Sequence, residues 1–416
     1  MGRNNLYTEI ALVFAITLLI AVLISGQTQR TFLSTSVLFL FAGILAGPSF
    51  LRLSDVQPQN PVETALATLA LVSVLFTDGM KVRLDELRRL WRLPSRALLF
   101  GMPLTFIIMT VAAHWIFALP WLEAALIGAI LSPTDPVFIS QLIESDGIPE
   151  RLRHLLGVES GLNDGIVLPV ILILLQLITS ETPEPLLMLE ELLGGVLVGI
   201  VVPWLFIKLE QRIRFLYVGT IYEPLNAFAI GLFVIVLSET LHVNMFLAAF
   251  SAGITIGNVS SEVRAAFEGF GRTLTELLKL AALFFFGLLI NLNLFFNSGL
   301  TYYLFAAIVL IIARPLAIYI VLWRQDIPNL EKATAAWFGP KGFASIFYSF
   351  FIFQFALTNG YELFNILAFT IVLSIIAHSS TDVLFGRYFQ RAAEKTEAEE
   401  KANQESSPVE AEEISA

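Results

Sequence analysis

The chain reads as an all-α polytopic membrane protein with about 13 transmembrane helices. Three observations predict this. Mean hydropathy is +0.76. Hydrophobic residues make up 56 % and charged residues 14 %, against about 25 % charged in a soluble domain. Apolar stretches long enough for a hydrocarbon layer of about 30 Å recur along nearly all of the 416 residues. Without alternating short strands, backbone groups in lipid must be satisfied inside helices.

Hydropathy and helix breakers place the crossings near 6–25, 31–48, 60–79, 97–118, 121–142, 154–178, 188–208, 222–240, 242–257, 274–291, 299–322, 331–356 and 361–386. The first contains Glu9 and lacks a small-residue cleavage site after a basic start, so it is expected to be a retained spanning helix. An odd number of crossings, with the N-terminus outside and the C-terminus cytoplasmic, leaves only Arg3 and Arg52 on the outer side. Lys279, Arg314 and Lys341 fall inside spans, and the other basic residues lie at the inner side, densest from Lys81 to Arg96. Orientation accounts for that basic loop without a nucleic-acid partner. The net charge of −10 is concentrated at the C-terminal end. From Glu394 on, a low-complexity acidic segment cannot bury apolar surface, so 394–416 is expected to be a disordered cytoplasmic tail behind a transmembrane domain of 1–393.

Two spans carry interruptions. Span five contains Pro133-Thr134-Asp135-Pro136, where Pro133 frees the carbonyl of Ala129 and Pro136 that of Ser132. Span twelve contains Phe338-Gly339-Pro340-Lys341-Gly342, where Pro340 frees the carbonyl of Ala336. Irregular backbone at membrane depth survives only when packed in protein or lining a wet cavity. One interruption in each half predicts inverted repeats with two discontinuous crossing helices and a site between them. Asp135 and Lys341 would offset the half-helix partial charges, with Asp135 structural, accepting backbone amides.

Span six supplies the carboxylate chemistry. A charge at a helix centre costs about 2.5–3.5 kcal/mol on insertion scales and marks ion paths or proton relays. Glu159, Ser160, Asn163 and Asp164 recur at helical spacing on one sector, opposite Val158, Leu162 and Leu172. A carboxyl stripped of water on one side holds a proton more readily. A hard monovalent cation competes for the same oxygens beside hydroxyls and carbonyls. Asp164, with Ser160 and the Thr134 backbone, can therefore hold either proton or cation, while the Asn163 amide orients Asp164 or a bound water. Glu159 needs a partner, and Arg314 is the arginine well inside a span; snorkelling to the inner surface is the alternative for Arg314. Asp78 reads as an interfacial acid. The four histidines show no metal spacing, and the absence of cysteine excludes thiolate metal sites and disulfides. No His-rich metal motif or Gly-x-Ser-x-Gly elbow supports an enzyme. No repeated carbonyl filter supports a channel.

Thr134-Asp135-Pro136 together with Glu159-Ser160-Gly161-Leu162-Asn163-Asp164 resembles the sodium/proton exchangers of the monovalent cation/proton antiporter-1 family, in its prokaryotic NhaP-type branch. The resemblance covers the whole membrane part. It implies that Asp164 binds cation and proton in turn, that Ser160, Thr134 (through its main chain) and Asp135 line the site for the transported Na⁺, and that Asp78 contributes. It implies a stabilising Glu159–Arg314 pair and, through Asn163, electroneutral exchange of one Na⁺ or Li⁺ for one proton. K⁺/H⁺ exchange on the same scaffold is the alternative, with a cation channel ranked behind it. Lys341 stands where the family often has arginine. The resemblance further implies a homodimer in the lipid of a prokaryotic inner membrane and no cofactor. A core bundle of about 97–178 and 299–386 would move against a dimerisation part of about 1–79 and 188–291.

Overall fold

A computed structural model describes residues 3–28, 35–52, 61–85, 91–135, 142, 147–180, 184–213, 222–292, 297 and 299–406. Among them all regular structure is helical. The helices are α1 (Arg3–Thr28), α2 (Thr35–Ala46), α3 (Pro61–Lys81), α4 (Arg92–Phe117), α5 (Trp121–Leu131), α6 (Glu150–Thr179) and α7 (Pro185–Arg212). There follow α8 (Glu223–Thr240), α9 (Met245–Val259), α10 (Ser261–Leu289), α11 (Leu300–Leu322), α12 (Asn329–Trp337), α13 (Phe343–Gln354) and α14 (Gly360–Ser406). Six of the described helices are long and apolar enough to cross a membrane.

The helices pack in two groups. In one, α3 and α7 lie against α9, α2 against α10, and α8 against both α9 and α10. In the other, α4 packs on α5, α5 on α6, α11 on α4, α12 and α14, and α13 on α14. The groups touch where α3 meets α6 and α13 and where α10 meets α13. There the Phe286 ring sits edge-on to those of Phe350 and Phe364, at 6.3 and 5.5 Å. Leu186, Leu193, Leu197 and Trp204 on α7 are exposed, an apolar surface suited to lipid.

The second group shows the same motif twice: a helix with one wide i→i+5 turn, a short helix, an interrupted segment, then a further helix. The wide turns are Ala97–Gly101 in α4 and Ile308–Ala313 in α11. The interruptions follow α5 at Ser132–Asp135 and separate α12 from α13 at Phe338–Gly342. Pro136, half of the break expected in span five, lies outside the described residues, as do Arg88, Arg89, the 181–183 loop and 407–416. The tail expectation meets a helix: α14 continues to Ser406. Ala, Glu, Lys and Gln cannot make a core, but they are strong helix formers, and here they extend a helix already nucleated upstream.

Candidate ion-binding site

The two interruptions fold onto each other, and each satisfies backbone groups the other leaves open. The α5 carbonyls of Ala129 and Ile130 accept from the hydroxyls of Ser132 (2.9 Å) and Ser345 (2.7 Å). The Pro133 carbonyl accepts from Lys341 Nζ at 3.4 Å. Asp135 N–H donates to the Pro340 carbonyl at 3.0 Å. Asp135 Oδ2 accepts the first amide of α13, Phe343 N–H, at 2.8 Å, which places a carboxylate at a helix N-terminus. Gly342 is required here, because a Cβ on it would strike the Asp135 side chain. Lys341 is 2 % exposed and its N–H donates to Ser374 Oγ at 2.9 Å. His378, one turn on, lies between the carbonyls of Ser374 (2.7 Å) and Trp337 (3.0 Å).

Helix α6 brings its polar residues alongside but divides them. Asn163 Nδ2 donates to the Thr134 carbonyl (3.1 Å) and Oγ1 (2.9 Å), and Thr134 Oγ1 is 3.3 Å from Ser160 Oγ. Asn163 thus fixes the interrupted segment; among the described residues it makes no bond to the Asp164 side chain. Glu159 turns the other way, where Arg314 Nη1 and Nη2 donate to its two oxygens at 2.6 and 3.1 Å. Arg314 is 5 % exposed, so it does not snorkel. Its Nη2 also reaches the carbonyls of Ala335 and Phe338 at the end of α12, at 3.4 and 3.3 Å. Only glycine fits at 339, because a Cβ would meet the guanidinium. Of the four side chains, Glu159 alone faces Arg314, Ser160 and Asn163 meet Thr134, and Asp164 faces a cavity.

Asp164 lies on the wall of a cavity of about 300 Å³ shared with Asp78, Asp135, Ser160, Lys81, Lys279 and Phe343. Its Oδ1 is buried and has no hydrogen-bond partner among the described residues, and neither has Asn163 Oδ1. Its backbone carbonyl accepts from Tyr348 OH at 2.9 Å. Val158 and Leu162, expected on the opposite face, line the same cavity, so the polar stripe is narrower than helical spacing suggested. Asp78 Oδ1 is 2.7 Å from Lys81 Nζ, and its Oδ2 is 4.0 Å from Lys279 Nζ. Asp78 is therefore a member of the cavity wall and not only an acid at a surface. Tyr348 and Lys279 were missed by the sequence reading. Lys279, in the apolar C-terminal half of α10, carried the same warning as Asp164, whereas nothing marked Tyr348 among its aromatic neighbours. Among the described residues no cluster of His, Asp or Glu has metal-holding geometry.

Comparison with known proteins agrees with this architecture. The chain is 25 % identical over 372 residues to the K(+)/H(+) antiporter NhaP of Alkalimonas amylolytica, covering 88 % of this chain and 64 % of that relative. It is 29 % identical over 230 residues to the Na(+)/H(+) antiporter NhaP of Pseudomonas aeruginosa, covering 51 % of this chain and 53 % of that relative. The chain thus spans less than two thirds of the length of these curated relatives. The fold matches that of the sodium proton antiporter MjNhaP1 from Methanocaldococcus jannaschii with a TM-score of 0.76 at 18 % identity, over 94 % of this chain and 100 % of that one. A family model described as sodium/hydrogen exchanger, transmembrane, matches residues 14–385, and the chain belongs to that family.

Proposed function

We propose that the chain exchanges a monovalent cation for a proton across a membrane, with Asp164 holding the two in turn. One observation carries the reading: a buried carboxylate oxygen without a hydrogen-bond partner among the described residues, Asp164 Oδ1, on the wall of a cavity that holds several ionisable side chains. A buried acceptor left unmade costs about 1–3 kcal/mol, more when charged. A proton or a cation removes that cost, and one carboxylate cannot keep both. Ser160, the Thr134 main chain, Asp135 and Asp78 surround the cargo; cation and proton are substrates, and the reading requires no cofactor. Asp164→Asn in proteoliposomes is expected to abolish uptake of ²²Na⁺ driven by a pH gradient; uptake that survives the change sinks the assignment.

The finer reading is electroneutral exchange of Na⁺ or Li⁺ for H⁺. An oxygen-only site suits a small hard cation, and the uncharged Asn163 leaves one exchangeable carboxyl on this turn of α6. The second reading, K⁺/H⁺ exchange, is favoured by the relative named a K(+)/H(+) antiporter, which is matched over a larger share of the chain than the Na(+)/H(+) one. Competition of Na⁺, Li⁺ and K⁺ for dye-reported proton movement, with and without clamped voltage, separates the two and tests stoichiometry. The two packing groups supply a core that carries Asp164 past a second part, α1–α3 and α7–α10, through which two copies pair. The basic loops orient the C-terminus to the cytoplasm of a prokaryotic cell.

A further inference from the structure

Lys279 is buried at 6 % exposure on α10, inside the cavity that Asp164 faces. One turn before it, Thr275 Oγ1 and Thr77 Oγ1 share a hydrogen bond of 2.7 Å that fixes α10 against α3. Its ammonium lies 5.2 Å from the centroid of the Phe343 ring and 4.0 Å from Asp78 Oδ2. Asp78 Oδ1 is engaged by Lys81 at the shorter distance of 2.7 Å. Among the described residues Lys279 makes no hydrogen bond, so it is not locked into a structural bridge as Arg314 is. A buried ammonium is costly unless its charge is used, and a ring face offsets part of that cost. The charge beside it is that of the Asp78, Asp135 and Asp164 carboxylates on the same walls.

We propose that Lys279 is a tethered cation of the exchange site: it balances these carboxylates while no ion is held and sets how tightly a monovalent cation binds at Asp164. The inference rests on the exchange reading above. An arriving cation meets a field already partly neutralised, binds less tightly and leaves faster. Removing the ammonium leaves Lys81, held on Asp78, and the arriving cation to balance the carboxylates, so the cation binds more tightly and leaves more slowly.

The test uses the full chain in proteoliposomes, with proton movement followed against Na⁺ concentration (K⁺ where Na⁺ is not carried). Lys279→Met is expected to lower KM by about tenfold and to lower the maximal rate, the effect of one unit charge across a partly wetted cavity. Lys279→Arg keeps KM within about twofold of the parent, since the charge is retained. Asp78→Asn added to Lys279→Met raises KM again. Melting curves establish folding, and Lys279→Gln replaces Lys279→Met if that variant unfolds. An unchanged or raised KM in the neutral variants, with only stability lost, overturns the proposal. If exchange persists in Asp164→Asn, the assignment of Asp164 as the exchanging carboxylate is the part that fails. Calorimetric titration of the detergent-purified parent and Lys279→Met with Na⁺ then decides the Lys279 proposal alone: tighter binding supports it and equal binding overturns it.

Discussion

Asp135 and Pro340 are joined main chain to main chain by a 3.0 Å hydrogen bond across more than two hundred residues of sequence. The two interruptions are therefore one structure, and what disturbs one must disturb the other. Gly342→Ala tests this. The added methyl would strike the Asp135 side chain and displace the carboxylate from the Phe343 amide. Transport in proteoliposomes should fall more than tenfold, with a lowered melting temperature, since overpacking costs about 1–3 kcal/mol.

Arg314→Met should be more damaging to stability than replacement of both partners. The single change strands the Glu159 carboxylate at 3 % exposure, and breaking a buried pair from one side costs about 3–5 kcal/mol. Arg314→Met with Glu159→Leu removes both charges and should recover most of that loss in thermal unfolding of the solubilised protein. A double variant less stable than the single would contradict the assignment of the pair as a stabilising contact.

Asn163→Leu keeps the volume but removes the donor to the Thr134 carbonyl and hydroxyl. The Thr134 oxygens, beside the Ser160 hydroxyl, lose their orientation, at a cost of about 1–3 kcal/mol for unmade bonds. The KM for the cation should rise about tenfold while the helices, followed by circular dichroism, stay folded.

Tyr348→Phe deletes one hydroxyl, the donor to the Asp164 carbonyl at 2.9 Å. A stability loss of about 1 kcal/mol is expected, with transport slowed severalfold. A variant as fast and as stable as the parent would show that this bond does not hold the exchanging turn of α6.

The sequence made the helices legible because hydropathy and proline act locally, and each expected crossing contains a helix. It marked Asp164, Ser160 and Thr134 because polar groups inside apolar runs are costly wherever the chain goes. Directions around α6 were less readable. Spacing alone put Glu159 and Asp164 in one sector; the α11 guanidinium draws Glu159 one way, and the cavity receives Asp164 the other. The role of Lys341 as donor to Pro133, and the contact of Lys279 with Phe343, depend on residues far along the chain that come together only once the two packing groups meet. The Arg151–Glu331 bridge, with both bonds at 2.6 Å, was equally out of reach.

The wide turn Ile308–Ala313 ends immediately before Arg314. Such a turn holds one surplus residue relative to regular winding. Excising that residue would let the helix rewind into regular α geometry with everything downstream close to its present phase. Adding a residue to a regular stretch instead would swing the guanidinium about 100° off Glu159. The wide turn is thus where α11 absorbs a change of length without turning its ion pair away.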